Sequence, residues 1–240
     1  MSEKAISKKA RCVEDVRRRI LTQAFEPGSY LDEAELSRAY DISRPPLREA
    51  LNQLAGEGYV VLHKNRGAQV APMTHKTMRN FFMAAPMLYA AVTRLAAENA
   101  TEAQVMQLKD AQTLFRKAIR DGDTAERALM NQRFHAIIGE MADNEFLTPS
   151  LRRLLIDHTR IGMSFYNPRN RAMAEQRSVA ADQHDHFIAL IEQGDAERAG
   201  QLALDHWELS RAEIESFVTP MGMQIPLGPA PGAGMRKGAK

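Results

Sequence analysis

The sequence is short of several things. Its 240 residues hold one cysteine, Cys12, so no intrachain disulfide can form, which suits a reducing compartment. Aromatic residues make up 6%. No apolar run approaches the roughly 18 residues a membrane span needs. The opening stretch MSEKAISKKARCVEDV is charged and lacks the apolar segment of a secretory signal, so a cytoplasmic location without membrane attachment is expected. Neither charge sign dominates. The formal net charge is +2, and the small excess of cations falls in the first 75 residues, a faint electrostatic trace of a polyanionic partner. With 44% hydrophobic and 26% charged residues the composition is that of a globular protein, long enough for two domains.

What is present is organised in two halves. In the first, Val13, Val16, Ile20, Leu21 and Ala24 recur at helical spacing over residues 9–24, with Arg17 to Arg19 on the outer face. Glu26 to Ser29 reads as a turn. Leu31 to Tyr40 then reads as a short helix, and Asp41 to Ser43 as a tight connection. A further helix runs from about Arg44 to Gly58, with Leu47, Ala50, Leu51 and Leu54 on one face. Tyr59 to His63 is aromatic and β-branched and predicts a strand, Lys64 to Gly67 a turn, and Ala68 to Ala71 a returning strand. This order is that of a winged helix-turn-helix: three helices plus a β-hairpin wing.

The stretch SRPPLREAL, Ser43 to Leu51, opens the third helix abruptly. Ser43 is placed as an N-cap whose hydroxyl accepts from the first turn. Pro45 and Pro46 sit where N–H groups have no intrahelical partner and bring a helical φ in advance. Arg44 and Arg48 are four apart and share a face at the helix start. That end of a second helix-turn-helix helix meets base edges and phosphates. Arginine binds guanine or phosphate bidentately, and the helix terminus itself favours phosphate. Arg66, at the wing tip, is a third donor.

From Thr74 onward the pattern is helical, with helices predicted over 76–100, 102–121, 125–142, 146–165, 172–193 and 196–217. Thr101 with Gln104, and Asp123 with Glu126, read as capping boxes, while Gly194-Asp195 ends one helix and caps the next. Short connections imply antiparallel neighbours. The fold class is therefore mainly α: a winged helix-turn-helix over residues 8–73, an all-helical antiparallel bundle over 76–218, and a Pro/Gly-rich flexible tail over 219–240.

Histidines are the chemistry-bearing feature of the bundle. Asn131 and His135 are four apart on one face. His184 lies ten residues before Gly194 and His206 twelve after it. In an antiparallel hairpin they sit about 15 Å and 18 Å from the turn, nearly level. Three imidazoles and an amide oxygen suit Zn²⁺ or Ni²⁺. His186 points elsewhere, and His158 approaches from another helix if at all. The residues alone leave open a His-cluster metalloenzyme acting on a small metabolite, or a DNA-binding dimer that answers to no effector.

Residues Glu33 to Ala71 resemble the GntR family of bacterial transcription regulators. The shared series runs through PGS at Pro27–Ser29, EL at Glu35-Leu36, SR at Ser43-Arg44 and LREAL at Leu47–Leu51. It continues with Leu54, Glu57 and Gly58, and the wing NRGA.V at Asn65–Val70. Asn131–Leu147 and His184–His206 resemble metal-binding segments of the FCD ligand-binding domain of FadR-type members. The resemblance implies a homodimeric, non-enzymatic regulator, more often a repressor, of a palindromic double-stranded operator. Ser43, Arg44, Pro46, Arg48, Lys64, Asn65, Arg66 and Gly67 would face DNA. A divalent metal on Asn131, His135, His184 and His206 would hold a small carboxylate effector. Relatives often have aspartate where Asn131 stands, and some have a DNA-touching arginine where Ala34 stands. Arg133 and Arg160 are candidate second anchors for the carboxylate. Met87, Leu88, Met163, Phe165 and Tyr166 are candidates for the pocket lining, or for core packing at helical spacing.

Overall fold

The computed structural model describes residues 7–165 and 171–218, with side chains at 7–163, 179–209 and 211. The predicted tail over 219–240 and the side chains of Phe165 and Tyr166 lie outside the described residues.

The first half builds as its pattern requires. Helix α1 (Lys8–Leu21) buries Cys12, Val13, Val16, Ile20 and Leu21 on one stripe. It ends three residues before its predicted limit, because Gln23 takes a left-handed turn at φ 58°. Helix α2 (Glu33–Tyr40) starts where the Asp32 carboxylate accepts from the N–H groups of Ala34 and Glu35. Helix α3 (Arg44–Glu57) buries Leu47, Ala50, Leu51 and Leu54 against α1 and α2 and stops at Gly58, φ 91°. The wing pairs β1 (Val60–His63) antiparallel to β2 (Gly67–Val70), with Val60 opposite Val70 and His63 opposite Gly67. Tyr30 bridges to Gln69 beside them.

The second half is a bundle of α4 (His75–Asn99), α5 (Glu102–Asp121), α6 (Thr124–Met141), α7 (Leu147–Phe165), α8 (Arg171–Gln193) and α9 (Ala196–Val218). Every start and end lies within two residues of its prediction. The Thr101–Gln104 capping box forms in both directions, and Asp123 caps α6 through the Glu126 N–H. One core runs through the bundle from Phe81 and Tyr89 on α4 to Trp207 on α9. A second fills the head, and it takes in Leu129 of α6 and Ile156 of α7, so the bundle plugs into the head's core. Among the described residues no helix is long and apolar enough to cross a membrane.

Candidate metal centre and nucleic-acid interface

The expected DNA-facing residues lie at the start of α3 and at the wing tip. Ser43, Arg44 and Arg48 are exposed at the start of α3, with Pro46 half-buried. Lys64, Asn65 and Arg66 are exposed at the wing tip beside Gly67. Neither Arg44 nor Arg48 has a carboxylate partner among the described residues. Arg17, on the far side of α3, is bound to Glu57. Arg66 lies over the Tyr30 ring, 5.8 Å from its centroid, a cation–π contact. Asn65 and Gly67 take positive φ, 64° and 77°, as a tight hairpin turn demands.

Ser43 corrects the prediction made of it. It occupies the N-cap with extended backbone, yet its side chain makes no capping bond. An N-cap oxygen accepts from the N–H at the second or third helical position. Those positions are Pro45 and Pro46, which have none. The hydroxyl is left to solvent or ligand. The prolines also strip the helix terminus of donors, so the phosphate attraction expected of that terminus is reduced to the Arg44 N–H and the dipole.

In the bundle, His135 from α6, His184 from α8 and His206 from α9 converge. One ring nitrogen from each lies within 4.8 Å of the other two. Tetrahedral Zn²⁺ with bonds of 2.0–2.1 Å would need nitrogens about 3.4 Å apart, so the rings must close by little more than an ångström. The protonation pattern is set from outside the cluster. The Gln112 amide donates to the Ala181 carbonyl at 2.7 Å and the Asp185 carboxylate at 2.8 Å. Its oxygen therefore faces His184 Nδ1 at 3.1 Å and accepts from it. His206 Nδ1 meets Gln183 Oε1 at 2.7 Å in the same way. Both rings then direct a lone pair from Nε2 inward, the state a metal ligand needs. The Nε2 atoms of His135 and His184 are buried without a hydrogen-bond partner. Such orphaned ring nitrogens are costly unless something fills the space between them. The residues therefore fit a divalent cation.

Burial lowers the basicity of every ring. His158 is pushed down to about 4 and His206 to about 3, both by burial first. His135 and His184 are also held well below the usual histidine range by burial, and next by the neighbouring imidazoles. All four are neutral at pH 7, as ligation requires. Phe134 stacks on His184 at 4.0 Å. A cavity of about 10 Å³ for the centre of a water-sized sphere lies beside them, between Tyr89, Thr93, His158 and Trp207. That is room for about one water or ion.

Asn131 is half-buried, one turn before His135. Arg160 is fully buried and engaged: its guanidinium pairs with Asp157 and donates to the Ala71 carbonyl. Arg133 is exposed and lines the groove between head and bundle. Neither arginine lines the histidine cavity. Met87 is 70% exposed, two residues off the stripe of Phe81, Ala85 and Tyr89, so it neither lines the cavity nor packs in the core. Leu88 lines a separate cleft with Asn80 and Leu154, and Met163 is half-buried. His186 is exposed, and His158 joins the cluster, its Nδ1 meeting the Tyr89 hydroxyl. Gln112 and Tyr89 carried no signal in the sequence, because each reaches the cluster from a helix far away in the chain, while Gln183 and Trp207 are sequence neighbours of His184 and His206.

Comparison with known proteins agrees with this arrangement. Residues 8–70 match the bacterial regulatory proteins, gntR family, and residues 82–209 match the FCD domain. The Nta operon transcriptional regulator of Aminobacter aminovorans is 25% identical over 182 residues, 76% of this chain and 82% of that protein. The HTH-type transcriptional repressor RspR of Escherichia coli is 30% identical over 152 residues, 62% of this chain and 66% of that protein. The repressor NanR of Citrobacter rodentium is 26% identical, covering 80% of each chain. The fold is shared with E. coli McbR/YncC, at a TM-score of 0.74 and 18% identity, over 89% of this chain and all of that one. These relatives are transcription regulators, not enzymes. With an exposed helix start and wing at one end and a histidine-lined FCD bundle at the other, the chain belongs to the gntR family of bacterial regulatory proteins and is a DNA-binding transcription regulator.

Proposed function

We propose that the protein is a homodimeric repressor that binds a palindromic operator and releases it in response to a small carboxylate held at a divalent cation in the bundle. The observation that carries the sensory part is the pair of buried, partnerless Nε2 atoms on His135 and His184 beside His206. Those three nitrogens, with the Asn131 carbonyl oxygen one turn from His135, would hold Zn²⁺ or Ni²⁺. Asn131 brings no charge, so the bound ion keeps more of its own, which favours an anionic effector as a further ligand. The cation supplies the attraction for that carboxylate. The chain's own residues supply neutral rings, fixed tautomers and a dry wall.

The cavity admits one water-sized group. A carboxylate effector therefore has to displace part of the wall, for which Trp207 and Tyr89 are the large movable pieces. An effector that fits only one arrangement of the bundle favours that arrangement by its own differential affinity and no more. Repressor names among the relatives support the negative sign. The homodimer is supported by Met83 and Met87, 63% and 70% exposed one turn apart on α4, an apolar stripe a second copy would cover. At the DNA end, Ser43, Arg44, Pro46, Arg48 and wing residues Lys64 to Gly67 would make the contacts, Arg44 and Arg48 reading base edges or phosphates.

The test is metal titration of the full chain and of His135→Ala, His184→Ala and His206→Ala variants. Zn²⁺ is expected to raise the melting temperature of the parent and not of the variants. All four are expected to bind the same selected DNA. Equal metal stabilisation in parent and variants would refute the assignment.

A further inference from the structure

Helix α7 touches both ends of the sensing path, as does α6, which carries His135 and sends Leu129 into the head's core. Its periodicity divides it cleanly. Leu151, Leu155, His158 and Ile161 turn into the bundle, while Ile156 enters the head's core and Arg153, Asp157 and Arg160 lie at the junction. Two ties meet at one residue there. The buried Arg160 guanidinium, paired with Asp157, donates to the carbonyl of Ala71. Ala71 ends the wing, and its N–H is bound to the Tyr59 carbonyl at 2.9 Å, so the acceptor belongs rigidly to the head. In the other direction, Gln23, at the left-handed exit of α1, donates its amide to the Arg160 carbonyl. Two residues earlier on the same helix, His158 meets Tyr89 in the histidine cavity, its ring 5.7 Å from that of His135. The backbone from His158 to Arg160 is continuous helix. Nothing flexible separates the wall of the cation cavity from the group that grips the head.

We propose that Arg160 is a positioning residue for DNA binding: it fixes the end of the wing to α7, so that filling the histidine cavity is felt by the head through Asp157, His158 and Arg160. This rests on the reading of the histidines as a cation site. It gives the buried Arg160 a role in the junction between bundle and head.

Hydrogen–deuterium exchange on the full chain, with and without Zn²⁺, tests it in the parent, in Arg160→Gln and in Gln23→Ala. In the parent, Zn²⁺ should slow exchange in α6, α8 and α9 and also in α1 and the wing. In Arg160→Gln the bundle response should remain while the head response falls about five-fold or more, the scale of a typical coupling. Gln23→Ala removes the amide's grip on the Arg160 carbonyl. It carries the test should the buried substitution fail to fold, and it should weaken the head response alone. A head that answers Zn²⁺ equally in parent and Gln23→Ala, and in Arg160→Gln wherever that variant folds, would overturn the latch and leave the cation site standing. A parent whose bundle is indifferent to Zn²⁺ would overturn the cation site and this coupling together.

Discussion

At the residue scale, Ser43 separates two jobs that an N-cap usually combines. Thr101 caps α5 with a reciprocal bond from Gln104, whereas Ser43 meets two prolines and bonds to neither. Thr101→Ala should therefore cost about 1 kcal/mol of stability. Ser43→Ala should cost the fold almost nothing while weakening DNA binding. Thermal unfolding of the two variants checks this, and an equal loss in both would contradict it. The lesson was available in the sequence, since Pro45 and Pro46 are visible as the second and third helical residues. Asking which N–H the serine would receive would have found the free hydroxyl. Arg160 offered no such clue. Arginine at helical spacing reads as surface or anchor, and only the approach of Ala71, 89 positions away, makes it a buried tie.

At the element scale, the hairpin of α8 and α9 explains why part of the site was legible. A short turn at Gly194, φ 68°, sets His184 and His206 level by simple rise per residue. His135 could be added because one helix face carries it with Asn131. The azimuths of α4, α5 and α7 were not legible, so Tyr89 and Gln112 were missed as neighbours of the cluster and His158 was left without a fixed place. Met87 was misplaced for the same reason: two residues off a stripe is the opposite side of a helix.

Four buried neutral histidines also set a pH dependence. Their folded pKa values lie below the unfolded value near 6.5, with His158 at about 4 and His206 at about 3. The unfolded chain thus binds more protons in that window, so stability rises with pH there. The metal-free protein should hold a constant melting temperature above about pH 7.5 and lose it progressively toward pH 5. Scanning calorimetry between pH 5 and 8 checks this. A flat profile from 7 to 5 would show that the rings are not buried neutral.

At the scale of the whole molecule, two hydrophobic cores meet where Leu129 and Ile156 leave the bundle for the head. The order of elements, the wing and the helical second half were legible because each has its own period and its own caps. The junction was not, because it depends on contacts between residues more than a hundred positions apart, such as Gln23 with Arg160 and Arg18 with Glu126. The start of α3 and the wing tip leave Arg44, Arg48, Lys64 and Arg66 exposed, with no carboxylate partner among the described residues.

The central claim is that this surface reads DNA sequence. The most direct measurement is selection of bound duplexes from a random-sequence pool at fixed salt, followed by affinities of the parent, Arg44→Ala and Arg48→Ala at two salt concentrations. The account predicts a short palindrome, with each substitution weakening binding by about 1–3 kcal/mol and relaxing preference at its own position or flattening the salt dependence. Salt-sensitive binding with no preferred sequence, unchanged by either substitution, would contradict it.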